Sequence, residues 1–162
     1  MTASDAESMS MRDLLAMATP DERESFENMW LGYTETFGAP ELRETISTLY
    51  ENRNTDEILC FAGASEGIFA ANSVILDKDS HAIVVTPNYQ SHETLPLAIC
   101  EATGVPLDAN DGWSLDIDRV ADAIRPNTKL VTINFPHNPT GTILPLDRYQ
   151  ALVELCRKHG IY

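Results

Sequence analysis

Apolar residues recur along this chain with two spacings, and the change between them divides it. From residue 57 onward, short continuous apolar runs alternate with longer stretches whose apolar positions return every three or four residues. The runs "EILCFA" (57–62), "HAIVVT" (81–86), "VPLD" (105–108) and "KLVTINF" (129–135) predict strands. Between them, "SEGIFAANSVIL" (65–76) predicts a helix with Ile68, Ala71 and Ile75 on one side. "SHETLPLAICEAT" (91–103) predicts another, bent or delayed at Pro96, and "DIDRVADAI" (116–124) a third, closed by Pro126. Pro145 opens the last helix, which turns Leu146, Tyr149, Val153 and Cys156 inward. Arg157, Lys158 and His159 fill its negative end before Gly160 stops it.

Apolar strands separated by helices belong to a mostly parallel sheet covered on both faces. The pattern therefore predicts an α/β fold in three layers, a mostly parallel sheet with helices on both faces. Parallel pairing is expected among residues 58–61, 82–86 and 130–134. Ile161 and Tyr162 begin what reads as another strand, so the domain is expected to be incomplete at its C-terminus.

Ahead of residue 57 the pattern is weaker. Residues 1–30 are polar and acidic, with short helical pieces at 11–17 and 21–29 broken by Pro20, and read as a helical arm. "APELRETISTLYEN" (39–52) then predicts a fuller helix. Pro40 suits its first turn, Glu41 and Glu44 suit its positive end, and Leu42, Ile46, Leu49 and Tyr50 share a face. Residues 31–162 are expected to form one domain.

Charge narrows the ligands. Eleven basic against 25 acidic residues give a net charge of −14, which repels nucleic acid and anionic membrane. An anionic ligand must therefore be held by local donors working against the overall field. No apolar run approaches the roughly 18 residues of a membrane span. The N-terminus lacks the apolar core of a secretory signal, so the cytoplasm is the expected compartment. Cys60, Cys100 and Cys156 are far apart, without metal-ligand spacing, and read as reduced, inert thiols. "NPT" at 138–140 is no glycosylation sequon, because proline holds its middle position.

In open α/β sheets, ligands bind at the carboxyl ends of the strands. Three groups are expected there. "GASEG" (63–67) follows the first predicted strand and opens a helix, so the free N–H groups of Ala64 and Ser65 could face an anion. It is neither a Walker A loop nor GxGxxG, and a plain tight turn explains it equally well. "TPNYQSH" (86–92) brings Tyr89 and His92 just past a strand end, as packing or as a ligand platform. "NFPHNPTG" (134–141) is a corner stiffened by Pro136 and Pro139, where Asn138 offers both a donor and an acceptor.

These motifs, with "LGYTETFGAPELRETI" (31–46), stand in the order and spacing of a known family. Residues from about 10 to 162 resemble the first part of the fold-type-I, pyridoxal-phosphate-dependent aminotransferases of class I/II, similar to aspartate aminotransferase. The resemblance implies part of a large cofactor-binding domain, pyridoxal 5'-phosphate as cofactor, and an amino acid and a 2-oxo acid as substrates. It places the cofactor phosphate at Gly63, Ala64 and Ser65, held by backbone N–H groups and the Ser65 hydroxyl. Tyr89 would stack on the pyridine ring. Asn138 would donate to the phenolic oxygen and help hold the substrate carboxylate, with the Asn138–Pro139 bond cis. His92 would support the aspartate that binds the ring nitrogen. Tyr33 would reach the phosphate of a neighbouring subunit, which implies a homodimer.

The family also needs a Schiff-base lysine at the ligand edge. The chain has only Lys78, Lys129 and Lys158. Lys78 follows a helix between two aspartates, Lys129 starts a strand, and Lys158 serves a helix end, so none is expected at the site. No catalytic residue is therefore assigned within the chain. By resemblance the lysine, the ring-binding aspartate and the carboxylate-binding arginines lie beyond Tyr162. Lyase, cyclase or oxidase chemistry would share every motif quoted. A non-catalytic sensing module would need a DNA-binding segment, and Arg12 and Arg23 are the only bases in the first 30 residues. A nucleotide-binding reading lacks a phosphate-loop lysine.

Overall fold

The computed structural model describes residues 7–162. They fall into two compact units, one ending at Ile58 and one running Leu59–Tyr162. No helix among the described residues is long and apolar enough to cross a membrane.

The first unit holds three short helices: α1 (Met11–Ala16), α2 (Pro20–Glu27) and α3 (Pro40–Ser47). None of the three carries a buried residue, so local chemistry must specify them. The Ser10 side chain caps α1 by accepting from the Asp13 N–H. A reciprocal Thr19–Glu22 capping box opens α2, with Pro20 in its first turn. The helix expected over 39–52 ends at Ser47. Beyond it the N–H groups of Thr48, Leu49 and Tyr50 reach back only three residues, which tightens the chain into turns. Thr45, Ser47 and Thr48 hydroxyls donate to nearby backbone carbonyls, a competition that weakens helix in this stretch. Arg43 ties α3 to the end of the unit, with Nε 2.9 Å from the Ile58 carbonyl and Nη2 2.6 Å from that of Thr55.

The second unit holds α4 (Ala64–Ile75), β1 (His81–Thr86), α5 (Gln90–Ile99), β2 (Glu101–Pro106), α6 (Ile117–Asp122), β3 (Thr128–Thr132) and α7 (Leu146–His159). The three strands form a parallel sheet in the order β2-β1-β3, with Val85 opposite Val105 and Ile83 opposite Val131. The central strand β1 is buried over its first five residues, as a continuous apolar run requires. Ile83 and Val85 turn to one face and join Val120 of α6 and Leu152 of α7 in the core. The opposite face carries Thr132, whose hydroxyl donates to the His92 carbonyl of α5 at 3.1 Å. Helices thus cover both faces, and the α/β reading holds.

Three further sequence expectations need correction. Residues 58–61 form no strand; among the described residues no strand pairs with them, and Leu59 and Phe61 stay 49% and 42% exposed. An apolar run records a capacity for burial, whereas a strand also needs a neighbour with free backbone groups. The helix expected to reach residue 103 stops at Ile99, and β2 begins at Glu101. Its edge is set by long-range bonds, since the Thr103 hydroxyl meets the buried His81 ring at 2.8 Å. β3 ends at Thr132, three residues short of its expected end, where the proline-rich corner begins. Pro96 does sit inside α5, and its missing N–H leaves the His92 carbonyl free for Thr132. The short pair Ile161–Tyr162 behaves as expected: Tyr162 donates to Lys129 and accepts from Val131, both at 2.9 Å. That is the bonding of a parallel neighbour to β3.

Candidate active site

The site is assembled where β1 and β3 end. Beyond Thr86 the chain turns through Pro87–Tyr89 into α5, and Asn88 closes that turn. Its Nδ2 donates to the Val85 carbonyl at 3.0 Å and its Oδ1 accepts the Tyr89 N–H at 2.8 Å. The Glu93 carboxylate accepts the Asn88 N–H at 2.6 Å. Tyr89 is left 42% exposed, with the His92 ring edge-on at 6.4 Å. Burial lowers the His92 pKa from the ordinary imidazole value, so the ring is neutral near pH 7.

Beyond β3, residues 134–142 form the corner. The His137 N–H donates to the Thr142 carbonyl at 2.8 Å, and Gly141, at φ +76°, donates to the His137 carbonyl at 2.7 Å. The Thr142 hydroxyl donates to the Gly112 carbonyl at 3.0 Å. Asn138 is half-buried at the head of this corner, and its carbonyl lies 3.5 Å from Asn134 Nδ2. The bonds Thr86–Pro87, Phe135–Pro136 and Asn138–Pro139 are cis.

The two turns meet through His137, which is 2% exposed. Its Nε2 lies 2.7 Å from the Pro87 carbonyl and its Nδ1 2.7 Å from the Thr140 hydroxyl. Sequence reasoning passed over His137 and Asn88. Asn88 had a local signal, an asparagine at a strand exit. The partner of His137 lies 50 residues away and leaves no local trace.

The third element is the N-terminus of α4. Gly63, at φ +116°, turns the chain into the helix, and the Glu66 carboxylate accepts the Ala62 N–H at 2.6 Å. The first-turn N–H groups of a helix have no intrahelical partner and attract anions. Ser65 shares a cleft of about 320 Å³ with Phe69, Tyr89, Gln90, Ser91, Thr94 and Leu95. The Ser91 Oγ is buried and unpartnered among the described residues. The stretches 63–67, 86–92 and 134–142 contain no Lys or Arg, so an anion would rest on N–H groups and hydroxyls.

The structure thus joins Ser65 and Tyr89 on one cleft and ties the Asn138 corner to the Tyr89 turn. Gly63 and Ala64 stand at the mouth of α4. Tyr33 belongs to the first compact unit. Lys78 lies before β1, paired with Asp79 at 2.8 Å; Lys129 is at the amino end of β3, and Lys158 in the last turn of α7. None stands on the carboxyl-end loops.

A parallel sheet with an anion-ready helix start, an aromatic wall and an amide corner defines a class, and comparison gives its identity. Residues 10–162 match the family model for aminotransferase class I and II, and the chain belongs to that family. It is 32% identical over 139 residues to a probable aspartate/prephenate aminotransferase of Thermus aquaticus, covering 80% of this chain and 36% of that protein. It is 29% identical over 137 residues to an arginine–pyruvate transaminase of Pseudomonas aeruginosa, covering 80% and 35%. A solved PLP-dependent aminotransferase from Streptococcus suis superposes with a TM-score of 0.91 at 25% identity, over 99% of this chain and 44% of that one. The chain therefore spans a little over a third of the length of the curated relatives it matches.

Proposed function

We propose that this chain is the pyridoxal-phosphate-binding part of an aminotransferase that moves an amino group between an amino acid and a 2-oxo acid. The observation that carries the reading is the meeting of Ser65 and Tyr89 on one cleft, beside a corner that presents Asn138. A flat ring with an anionic tail fits that set of donors, and the unpartnered Ser91 hydroxyl adds a polar atom to the same wall. When bound, the cofactor supplies the carbonyl that takes up the amino group and the ring that accepts electrons from it.

The residues of this chain bind and orient. Ala64 and Ser65 hold the phosphate by backbone N–H groups, with Gly63 allowing close approach and the Ser65 hydroxyl adding a donor. Tyr89 supports the ring face. Asn138 donates to the phenolic oxygen and to the substrate carboxylate, and His92, kept neutral by burial, backs the ring-nitrogen partner. Tyr33 serves the phosphate of a second subunit in a homodimer. The Schiff-base lysine comes from sequence beyond Tyr162, and the enzyme works in the cytoplasm. Residues 1–30 act as an arm, and 31–162 as the first part of the large domain.

The test is a titration of the full chain with pyridoxal 5'-phosphate, followed by borohydride and peptide mapping. Saturable binding weakened by Ser65→Ala and by Tyr89→Ala is expected, with no stoichiometric label on a lysine. A single full label on Lys78, Lys129 or Lys158, or binding that both substitutions leave intact, would overturn the reading.

A further inference from the structure

The β1–α5 turn and the 134–142 corner come from distant parts of the chain, yet one ring bridges them. His137 is buried and bonded at both nitrogens, to the Pro87 carbonyl at 2.7 Å and to the Thr140 hydroxyl at 2.7 Å. A carbonyl can only accept, so Nε2 carries the proton and donates to Pro87. In the neutral ring Nδ1 then accepts, and the Thr140 hydroxyl donates to it. The two bonds differ in kind. That to Thr140 stays within the corner; that to Pro87 crosses to the turn that carries Tyr89.

We propose that His137 is a positioning residue that locks the Asn138 corner to the Tyr89 turn, so that both present their side chains as one rigid unit. Asn138 is the next residue along the chain from His137, and Tyr89 lies two residues past Pro87, so this single hydrogen bond is a short path between the two. The consequence for binding rests on the reading that both side chains meet the same cofactor. The coupling itself does not.

Two substitutions separate the two bonds. His137→Asn keeps an oxygen near Nδ1 for Thr140 and withdraws the donor from Pro87. His137→Gln carries an amide N–H out to the Nε2 position and keeps the crossing bond. Amide hydrogen exchange on the full chain reads both loops, through Tyr89 and His92 in the turn and Gly141 in the corner. We expect His137→Asn to speed exchange about fivefold or more in both loops, and His137→Gln to restore both. Faster exchange in the corner alone, or a Gln variant indistinguishable from Asn, would overturn the proposal. Should the Asn variant fail to fold, nitrogen NMR of the unsubstituted chain decides: a proton on Nδ1 alone overturns the coupling, and one on Nε2 supports it. Pyridoxal 5'-phosphate titration tests the dependent part, with affinity about tenfold weaker in His137→Asn and near normal in His137→Gln. If no form of the chain binds the cofactor, the proposed function fails while the exchange result still decides the coupling.

Discussion

The two ends of the sheet are built to different rules. At the amino end, His81 of β1 is fully buried and bonded by both nitrogens at 2.8 Å, to Thr128 of β3 and to Thr103 of β2. Arg125 adds to the knot, since its backbone N–H donates to the Thr128 hydroxyl at 2.8 Å and its guanidinium pairs with Glu101 at 2.7 Å. All three strands are stitched through side chains. At the carboxyl end the strands part into loops tied mainly through backbone carbonyls, and Tyr89 and Ser65 face open space. One end spends its polar groups on one another; at the other the buried Ser91 hydroxyl has no partner among the described residues. On the proposed function, the difference separates residues that hold the fold from residues that meet a ligand.

That contrast can be broken most forcefully at His81. His81→Ala leaves a void and strips the buried Thr128 hydroxyl and the half-buried Thr103 hydroxyl of a partner, so the loss of stability should be about 3 kcal/mol. A denaturant melt measures it, and cofactor affinity per folded molecule should not change. Equal damage to affinity would mean that the two ends are not separate.

Next comes the converse change, Asn138→Ala, which tests the role proposed for Asn138 in a full-length aminotransferase that contains this chain. Losing a hydrogen bond to a charged group costs on the order of 1.5–3 kcal/mol, or roughly ten- to a hundredfold in kcat/KM. A variant that melts early yet keeps its efficiency per folded molecule would mark Asn138 as a turn residue only.

Thr142→Val is milder. It removes the hydrogen bond to the Gly112 carbonyl and keeps the shape, so about 1 kcal/mol of stability is expected to go. Amide exchange should locate the change in the corner, with the His81 knot untouched.

The smallest effect is that of a modest acid step. Burial lowers the pKa of His81, aided by the charge of Arg125 and opposed by that of Glu101. Burial also lowers that of His92. Both rings hold a proton less readily folded than unfolded, so stability is full above the unfolded histidine pKa of about 6.5 and falls as pH drops through that value toward the folded one. The sag should begin near pH 6.5, ahead of the carboxylates, in melts recorded from pH 8 to 5. His81→Asn should reduce it without abolishing it, because His92 remains.

Much of the scaffold was legible because burial leaves a periodic trace. β1, the start of α4 and the close of α7 at Gly160 lie where apolar runs, small residues and terminal bases put them. Residues 58–61 carried the same apolar signal and formed no strand, since that signal names no neighbour. The start of β2 was hidden for the opposite reason: Thr103 and Gly104 look indifferent until His81 and Val84 lie beside them. In the candidate site, Ser65, Tyr89 and Asn138 were visible through the motifs that carry them. His137 sat inside one of those motifs and was missed, because its work is a contact with Pro87.

Pro96 has a reach beyond its own helix. An ordinary residue there would hand its N–H to the His92 carbonyl and leave α5 self-contained. Proline withholds it, and the Thr132 hydroxyl at the exit of β3 takes up the vacancy. The helix is thereby indexed to the sheet: sliding it by one turn, about 5.4 Å, would cost that bond and return nothing. The depth at which Tyr89 stands is then fixed by a gap in the hydrogen bonding of its own helix. Replacing Pro96 with alanine would make α5 a more regular helix and a less accurate ruler.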